Sequence, residues 1–175
     1  MQRLALRASL ACSILLLCFG ILAGCATVPI QTGSSATAPA ITWVVTQVGA
    51  PTPQTFGANG TLTIQAGIQY DVSMHATSPS GVKSLSVNGT EDWGCVSSDG
   101  TGQSGTGDLT PQTVSQTAKN GQAMDELFSF QTVEFPQSPC QSGFTFTGGG
   151  IGLQGTATNF ANEQSSGHLA LVVTP

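Results

Sequence analysis

Tyr70-Asp71-Val72-Ser73-Met74-His75-Ala76-Thr77-Ser78-Pro79-Ser80-Gly81-Val82-Lys83-Ser84-Leu85-Ser86-Val87-Asn88-Gly89 decides the fold class. Tyr70, Val72, Met74 and Ala76 alternate with Asp71, Ser73 and His75, the two-residue period of a strand with one buried face. Ser78-Pro79-Ser80-Gly81 has the residues of a tight turn. Val82 to Val87 then resumes as a strand with Leu85 and Val87 on one face, and Asn88-Gly89 spells another turn. The stretch predicts two strands of a hairpin with short connections.

The same pattern extends outward in both directions. Ile41 to Val48 is β-branched and aromatic, as strands are, and Gly49, Pro51 and Pro53 end it. Asn59-Gly60 is a turn signal, after which Leu62, Ile64 and Ala66 alternate with Thr61, Thr63 and Gln65. Toward the C-terminus, Leu153 to Phe160 and His168 to Thr174 are strands joined by a polar loop through Ser166. Phe144, Phe146, Ile151, Leu153, Leu169, Leu171 and Val173 complete a candidate core, and Gly148-Gly149-Gly150 suggests a loop within it. No stretch has a convincing helical period; Gln122 to Phe130 is the one candidate for a short helical turn.

The Tyr70 to Gly89 stretch resembles the central hairpin of bacterial immunoglobulin-like domains, and the two C-terminal strands are similar to the last pair of that family. These segments cover under half of the chain beyond residue 24. The resemblance implies an all-β chain, an immunoglobulin-like two-sheet sandwich over residues 41–175. It implies little about function, because such domains serve adhesion, spacing, sugar binding and scaffolding alike. A sandwich of this kind needs about 100 residues, and the surplus here lies mostly between Thr90 and Gly143. Asp99 to Asp108 has no apolar residue and reads as a mobile loop. A strand at Gln112 to Ala118, a turn at Asn120-Gly121 and the aromatic segment Leu127 to Phe135 follow. In that segment Phe128 and Phe130 share one parity and Val133 and Phe135 the other, which predicts a bulge near Gln131.

The N-terminus carries a different message. Arg3 and Arg7 precede an uncharged apolar run from Ala8 to Ala23, the layout of an export signal. The run is shorter than the roughly 20 apolar residues that a membrane-spanning helix needs. Leu22-Ala23-Gly24-Cys25 resembles the lipobox of bacterial lipoproteins. That resemblance implies a signal peptide cleaved after residue 24, acyl chains on Cys25, and the membrane as a partner through this anchor, because two or more chains give stable residence. Ala26 stands where an Asp would retain some lipoproteins at the inner membrane, so the outer membrane is favoured in a Gram-negative host. Residues 25–40 comprise this Cys and a flexible tether rich in Ala, Thr, Ser, Pro and Gly. Its roughly 15 residues could reach up to ~50 Å.

Removing Arg3 and Arg7 with the signal leaves Lys83 and Lys119 against nine acidic residues, a net charge of −7 instead of −5. So acidic a surface excludes nucleic acid as a partner. Of five cysteines, Cys12 and Cys18 leave with the signal and Cys25 takes lipid. Cys95 and Cys140 remain as an even pair in an oxidising compartment, and no His or further Cys lies at metal-ligand spacing. A disulfide between them would staple the inserted middle region. Trp93 lies only two residues from Cys95, unlike the antibody arrangement, in which the bridge joins two core strands over a buried Trp.

Candidate chemistry is sparse. His75 and His168 alternate opposite their strands' core residues; as a pair they could ligate a metal or act as a base, and singly they are solvated strand residues. Ser104 lacks the strand-turn-helix of a hydrolase nucleophile, and Thr106 stands where that elbow needs Gly. Asp99 and Asp108 bracket a Gly-rich loop and, with Glu91 and Asp92, offer oxygen ligands. The spacing matches neither an EF-hand nor the repeat of calcium-binding β-helices, and a solvated acidic loop accounts for it. Asp125 and Glu126 are adjacent and point to opposite faces of an extended chain, so they are no glycosidase pair. Trp93, Phe135 and Phe160 are expected in the core; exposed and coplanar, two of them would form a stacking platform.

The sequence thus predicts a non-catalytic, cofactor-free, lipid-anchored envelope protein with a protein or glycan partner, its binding surface near Trp93, Asp99 and Asp108. Two alternatives are a carbohydrate-binding module and a small metal-dependent envelope hydrolase using His75 and His168.

Overall fold

In the computed structural model, which describes residues 27–29, 37–118 and 122–175, the alternating runs become strands of two stacked sheets. In chain order the strands are β1 (Thr27–Pro29), β2 (Ala40–Gln47), β3 (Gln54–Phe56), β4 (Asn59–Thr63), β5 (Gln69–Thr77), β6 (Val82–Ser97), β7 (Gly102–Ser115), β8 (Gln122–Met124), β9 (Glu126–Glu134), β10 (Phe144–Asn159) and β11 (Gln164–Val173). A five-stranded sheet has the order β4-β11-β10-β6-β7 and faces a four-stranded sheet of order β3-β2-β5-β9. All neighbours pair antiparallel except β4 and β11, which run parallel. The expected signal peptide over 1–24, the expected lipidation at Cys25, most of the expected tether and the expected Asn120-Gly121 turn lie outside the described residues. Within 25–40, expected to be unstructured, Thr27–Pro29 pairs antiparallel with β8.

The core follows from the side-chain period. Ile41, Trp43 and Val45 of β2 meet Val72, Met74 and Ala76 of β5 on one inner face, with Leu85, Ile151, Leu153, Leu169 and Leu171 opposite. At ~25 cal/mol per Å2 of apolar surface, this layer is the main source of stability. One polar group is built into it. Asn159, fully buried, donates from Nδ2 to the carbonyl of Thr37 at 3.0 Å and to Ser78 Oγ at 3.3 Å, and its Oδ1 accepts from the N–H of Glu163 at 2.8 Å. It thereby ties the entry to β2, the β5–β6 connection and the β10–β11 turn at one point.

Several expectations are corrected. Tyr70–Thr77 and Val82–Val87 are not a hairpin: each edge of β5 is taken by β2 or β9, and each edge of β6 by β10 or β7. The Ser78–Gly81 turn, closed by Gly81 N–H to Ser78 C=O at 2.9 Å, carries the chain from one sheet to the other. Gly81 sits at φ 71° there, a conformation that glycine adopts without strain. Asn88-Gly89 does not turn; β6 runs through it and the ladder to β7 slips between Val87 and Gly89. The slip falls where β7 carries Pro111, which has no N–H to give. Asn59-Gly60 likewise lies inside β4, paired with His168 and Leu169.

The loop expected at Asp99–Asp108 is a tight turn followed by the first half of β7, which continues to Ser115. Backbone pairing with β6 makes this strand, so the lack of apolar residues did not forbid it. Gly148-Gly149-Gly150 is part of β10, with a register shift between Phe146 and Gly148. Gln122–Phe130 contains β8 and most of β9 and no helical turn. The bulge near Gln131 is absent: β9 keeps an unbroken register with β5 from Glu126 to Glu134. Its inward positions are Leu127, Ser129, Gln131 and Val133, and its two phenylalanines point out. Cys95 and Cys140 form the disulfide, with Cα atoms 5.9 Å apart, joining β6 to the segment between β9 and β10.

Candidate binding face

Because β5 is flanked by β2 and β9, the outer face of the four-stranded sheet is laid out in cross-strand rows. Thr42, His75 and Phe128 form one row; Val44, Ser73 and Phe130 the next; Thr46, Asp71 and Thr132 the third. Phe128 is 58% exposed and Phe130 54%. Two residues apart on one strand, they project side by side. Fully burying a Phe is worth ~1.5–3 kcal/mol, so this strand forgoes that gain twice.

His75 extends the aromatic surface. Its ring stacks on Phe128 with centroids 5.6 Å apart and planes 22° apart. Both ring nitrogens are held: Nδ1 lies 2.8 Å from Glu126 Oε1 and Nε2 lies 3.1 Å from Ser73 Oγ. A carboxylate only accepts, so Nδ1 carries the hydrogen, and in the neutral ring Nε2 accepts from the Ser73 hydroxyl. Thr132 Oγ1 donates to Asp71 Oδ1 at 2.7 Å in the next row but one.

Ser73, His75 and Glu126 are therefore connected in the order of a nucleophile, a base and an orienting carboxylate. Acyl transfer also needs N–H donors aimed at the developing oxyanion, worth a factor of ~100–1,000 in rate for a single donor. Ser73 lies in the middle of a central strand whose backbone is paired on both sides, with Val44 and with Phe130. Among the described residues, the backbone beside it therefore offers no free N–H for that role. The arrangement fixes the orientation of the imidazole against Phe128, which makes a three-ring surface of His75, Phe128 and Phe130.

The residues singled out from the sequence fall elsewhere. His168 projects from the outer face of the five-stranded sheet, so the sandwich core separates it from His75 and the two imidazoles do not converge. It borders a shallow depression of about 130 Å3 over Gly152, with Gln154 and Asn88 beside it. Trp93 is half-buried against the core and lies over Gly105 of β7, where a Cβ would come within 2.3 Å of the indole. Phe135 is fully buried and packs on Phe146 at 5.7 Å; Phe160 is half-buried. None of the three forms a platform.

Asp99 is used by its own turn. It accepts from Ser97 Oγ and, at 3.0 Å, from the N–H of Thr101. Those two bonds, the serine's first, hold its pKa down to about 2. Asp108 lies six residues into β7 beyond Gly102, roughly 20 Å along the strand. The two carboxylates therefore frame no common site, and among the described residues no three His, Cys, Asp or Glu side chains gather as metal ligands. Ser104 projects from mid-strand. Sequence reading missed Phe128 and Phe130 because it took apolar side chains to point inward; their parity conflict with Val133 and Phe135 was the signal.

No family model and no curated protein matches the sequence. Among solved structures, the sporulation control protein Spo0M of Bacillus subtilis is similar with a TM-score of 0.37 and 9% identity, over 78% of this chain and 50% of that one. The chain thus spans half the length of that structure.

Proposed function

We propose that the protein is a non-catalytic, lipid-anchored component of the bacterial cell envelope whose immunoglobulin-like sandwich presents a binding face to a protein or glycan partner. The observation that carries this reading is the exposure of Phe128 and Phe130 side by side next to an imidazole locked by Ser73 and Glu126. Large aromatic rings held in water without burial are what recognition surfaces are made of.

The immunoglobulin-like assignment is supported by strand order. Read as B, C, F and G, β5 lies in one sheet between β2 and β9, while β6, β10 and β11 lie in the other in the order G-F-C, with β7 beyond C. The buried tryptophan differs in place: Trp43 is on β2, and the disulfide leaves β6 for a loop instead of crossing between B and F. The anchor rests on Leu22-Ala23-Gly24-Cys25, and the outer membrane is the favoured address on the strength of Ala26.

A photo-crosslinking amino acid placed at Thr132 in living cells tests the binding face. A discrete adduct that disappears when Phe128 and Phe130 are changed to Ser is expected; an adduct pattern indifferent to those changes refutes the face. Release of Cys25→Ser into the soluble fraction tests the anchor separately.

A further inference from the structure

At the opposite edge of the four-stranded sheet from Phe128 and Phe130, a cleft of about 330 Å3 opens between β3 and β4, the edge strands of the two sheets. Its polar lining comprises Gln47 at the end of β2, Thr52 in the next loop, Gln54 opening β3, Thr63 closing β4, Gln65 and Tyr70. Val45 and Leu62 supply the apolar part of the wall. The lip between β2 and β3 carries Pro51 and Pro53, whose fixed φ keeps it stiff. Tyr70 is buried, and its hydroxyl accepts from the N–H of Gln65 at 3.1 Å, which leaves its own hydrogen for another acceptor.

The chemistry of this lining is selective. Among the described residues no Asp, Glu, Lys, Arg or His contributes to it, so a phosphate, an amino acid or a metal ion would leave its charge uncompensated. The tyrosine ring is buried in the wall and presents no open face on which a nucleobase could stack. Three primary amides and three hydroxyls can both donate and accept, as the hydroxyls of a sugar do, and Val45 with Leu62 can meet the C–H face of a ring. The volume lies at the small end of the range for ligand sites.

We propose that this cleft binds a single neutral sugar residue, free or as one unit of a glycan. The site is independent of the aromatic face and stands or falls without it.

Saturation-transfer NMR on the full-length protein in detergent, with a panel of neutral hexoses, N-acetylhexosamines and uronic acids, tests the proposal. Transfer to at least one neutral sugar is expected. It should weaken tenfold or more in affinity in Gln47→Ala/Gln65→Ala and in Gln54→Ala, and stay unchanged in Phe128→Ser/Phe130→Ser. The three glutamine side chains are exposed, so these variants keep the core, which an unchanged melting curve verifies. The proposal is overturned if no neutral sugar receives transfer, if transfer survives both glutamine variants, if uronic acids bind best, or if the phenylalanine variant abolishes binding.

Discussion

The indole of Trp43 stands over Gly155 of the opposite sheet, where a Cβ would approach Trp43 Cζ2 to 3.1 Å and Met74 Sδ to 2.0 Å. Gly155 is paired directly with Gly167 across β10 and β11, and the Gly167 position is as tight: a Cβ there would meet the Ala58 carbonyl oxygen at 2.5 Å. Two glycines side by side thus flatten the five-stranded sheet under one tryptophan, whose Nε1 donates to that same Ala58 carbonyl at 3.1 Å. The bulk on one sheet and the missing side chains on the other form one packing unit.

Gly155→Ala and Gly167→Ala should both lower stability, by about 1–3 kcal/mol as overpacking does. They should differ in how they are relieved. The obstacle at Gly155 is a flexible thioether, so Met74→Ala should recover part of the loss in Gly155→Ala; at Gly167 the obstacle is backbone, and no side-chain trimming should help. Denaturant melts of the singles and the double variant check this, and equal rescue of both glycine variants by Met74→Ala would contradict the packing described.

Breaking the Cys95–Cys140 bridge frees a loop closed over 45 residues. The chain-entropy model values such a closure at about 4 kcal/mol. Cys95→Ser with Cys140→Ser should therefore melt far below the oxidised parent, and parent kept in reductant should melt with the variant. Native mass spectrometry before and after reduction assigns the bridge; a reductant-insensitive melting curve would show that it carries no load.

The turn between β6 and β7 should titrate unusually. The bonds that Asp99 accepts from Ser97 and Thr101 are stronger to the carboxylate than to the neutral acid, which holds its pKa at about 2 instead of 3.8. A depressed carboxylate stabilises the fold above its unfolded pKa, and that contribution disappears as pH falls through the folded value. Between pH 4 and pH 2 the side-chain carboxyl resonance of Asp99 and the amide of Thr101 should shift together, with a midpoint about 2. In Asp99→Asn the Thr101 amide should stay still over that window; a midpoint near 3.8 in the parent would mean the turn leaves this carboxylate unheld.

How much of this was legible in the sequence depends on what each residue's environment had to be. Ile41 to Val45, Tyr70 to Ala76 and Leu169 to Val173 alternate because one face is core and the other water, and period alone places them. Cys95 and Cys140 were legible by elimination. Which strand pairs with which is a property of edges, so Ser78–Gly81 looked like the tip of a hairpin while it crosses between sheets. Asn59-Gly60, Asn88-Gly89 and Gly148–Gly150 carry turn chemistry, yet neighbouring strands hold all three extended. The exposed aromatic face was hidden for the converse reason, since Phe128 and Phe130 break the inward rule and Ser129 and Gln131 occupy the positions that rule reserves for them.

The Ser73–His75–Glu126 connection supplies the sharpest check on the non-catalytic reading. Ser73 Oγ lies 3.1 Å from the imidazole and that imidazole 2.8 Å from the carboxylate, so the base needed to activate the hydroxyl is in place. Among the described residues no backbone N–H beside Ser73 is free to meet an oxyanion, because the ladders to β2 and β9 occupy the backbone on both sides of it. A fluorophosphonate, whose reaction builds negative charge on the same oxygen position, should leave Ser73 unmodified by mass spectrometry, and hydrolysis of an activated ester should be the same for the parent and Ser73→Ala. His75→Ala should change stability by no more than about 1 kcal/mol, as for a partly exposed hydrogen bond, while reducing whatever adduct forms at Thr132. Covalent labelling of Ser73 that His75→Ala abolishes would convert this face from a platform into an active site.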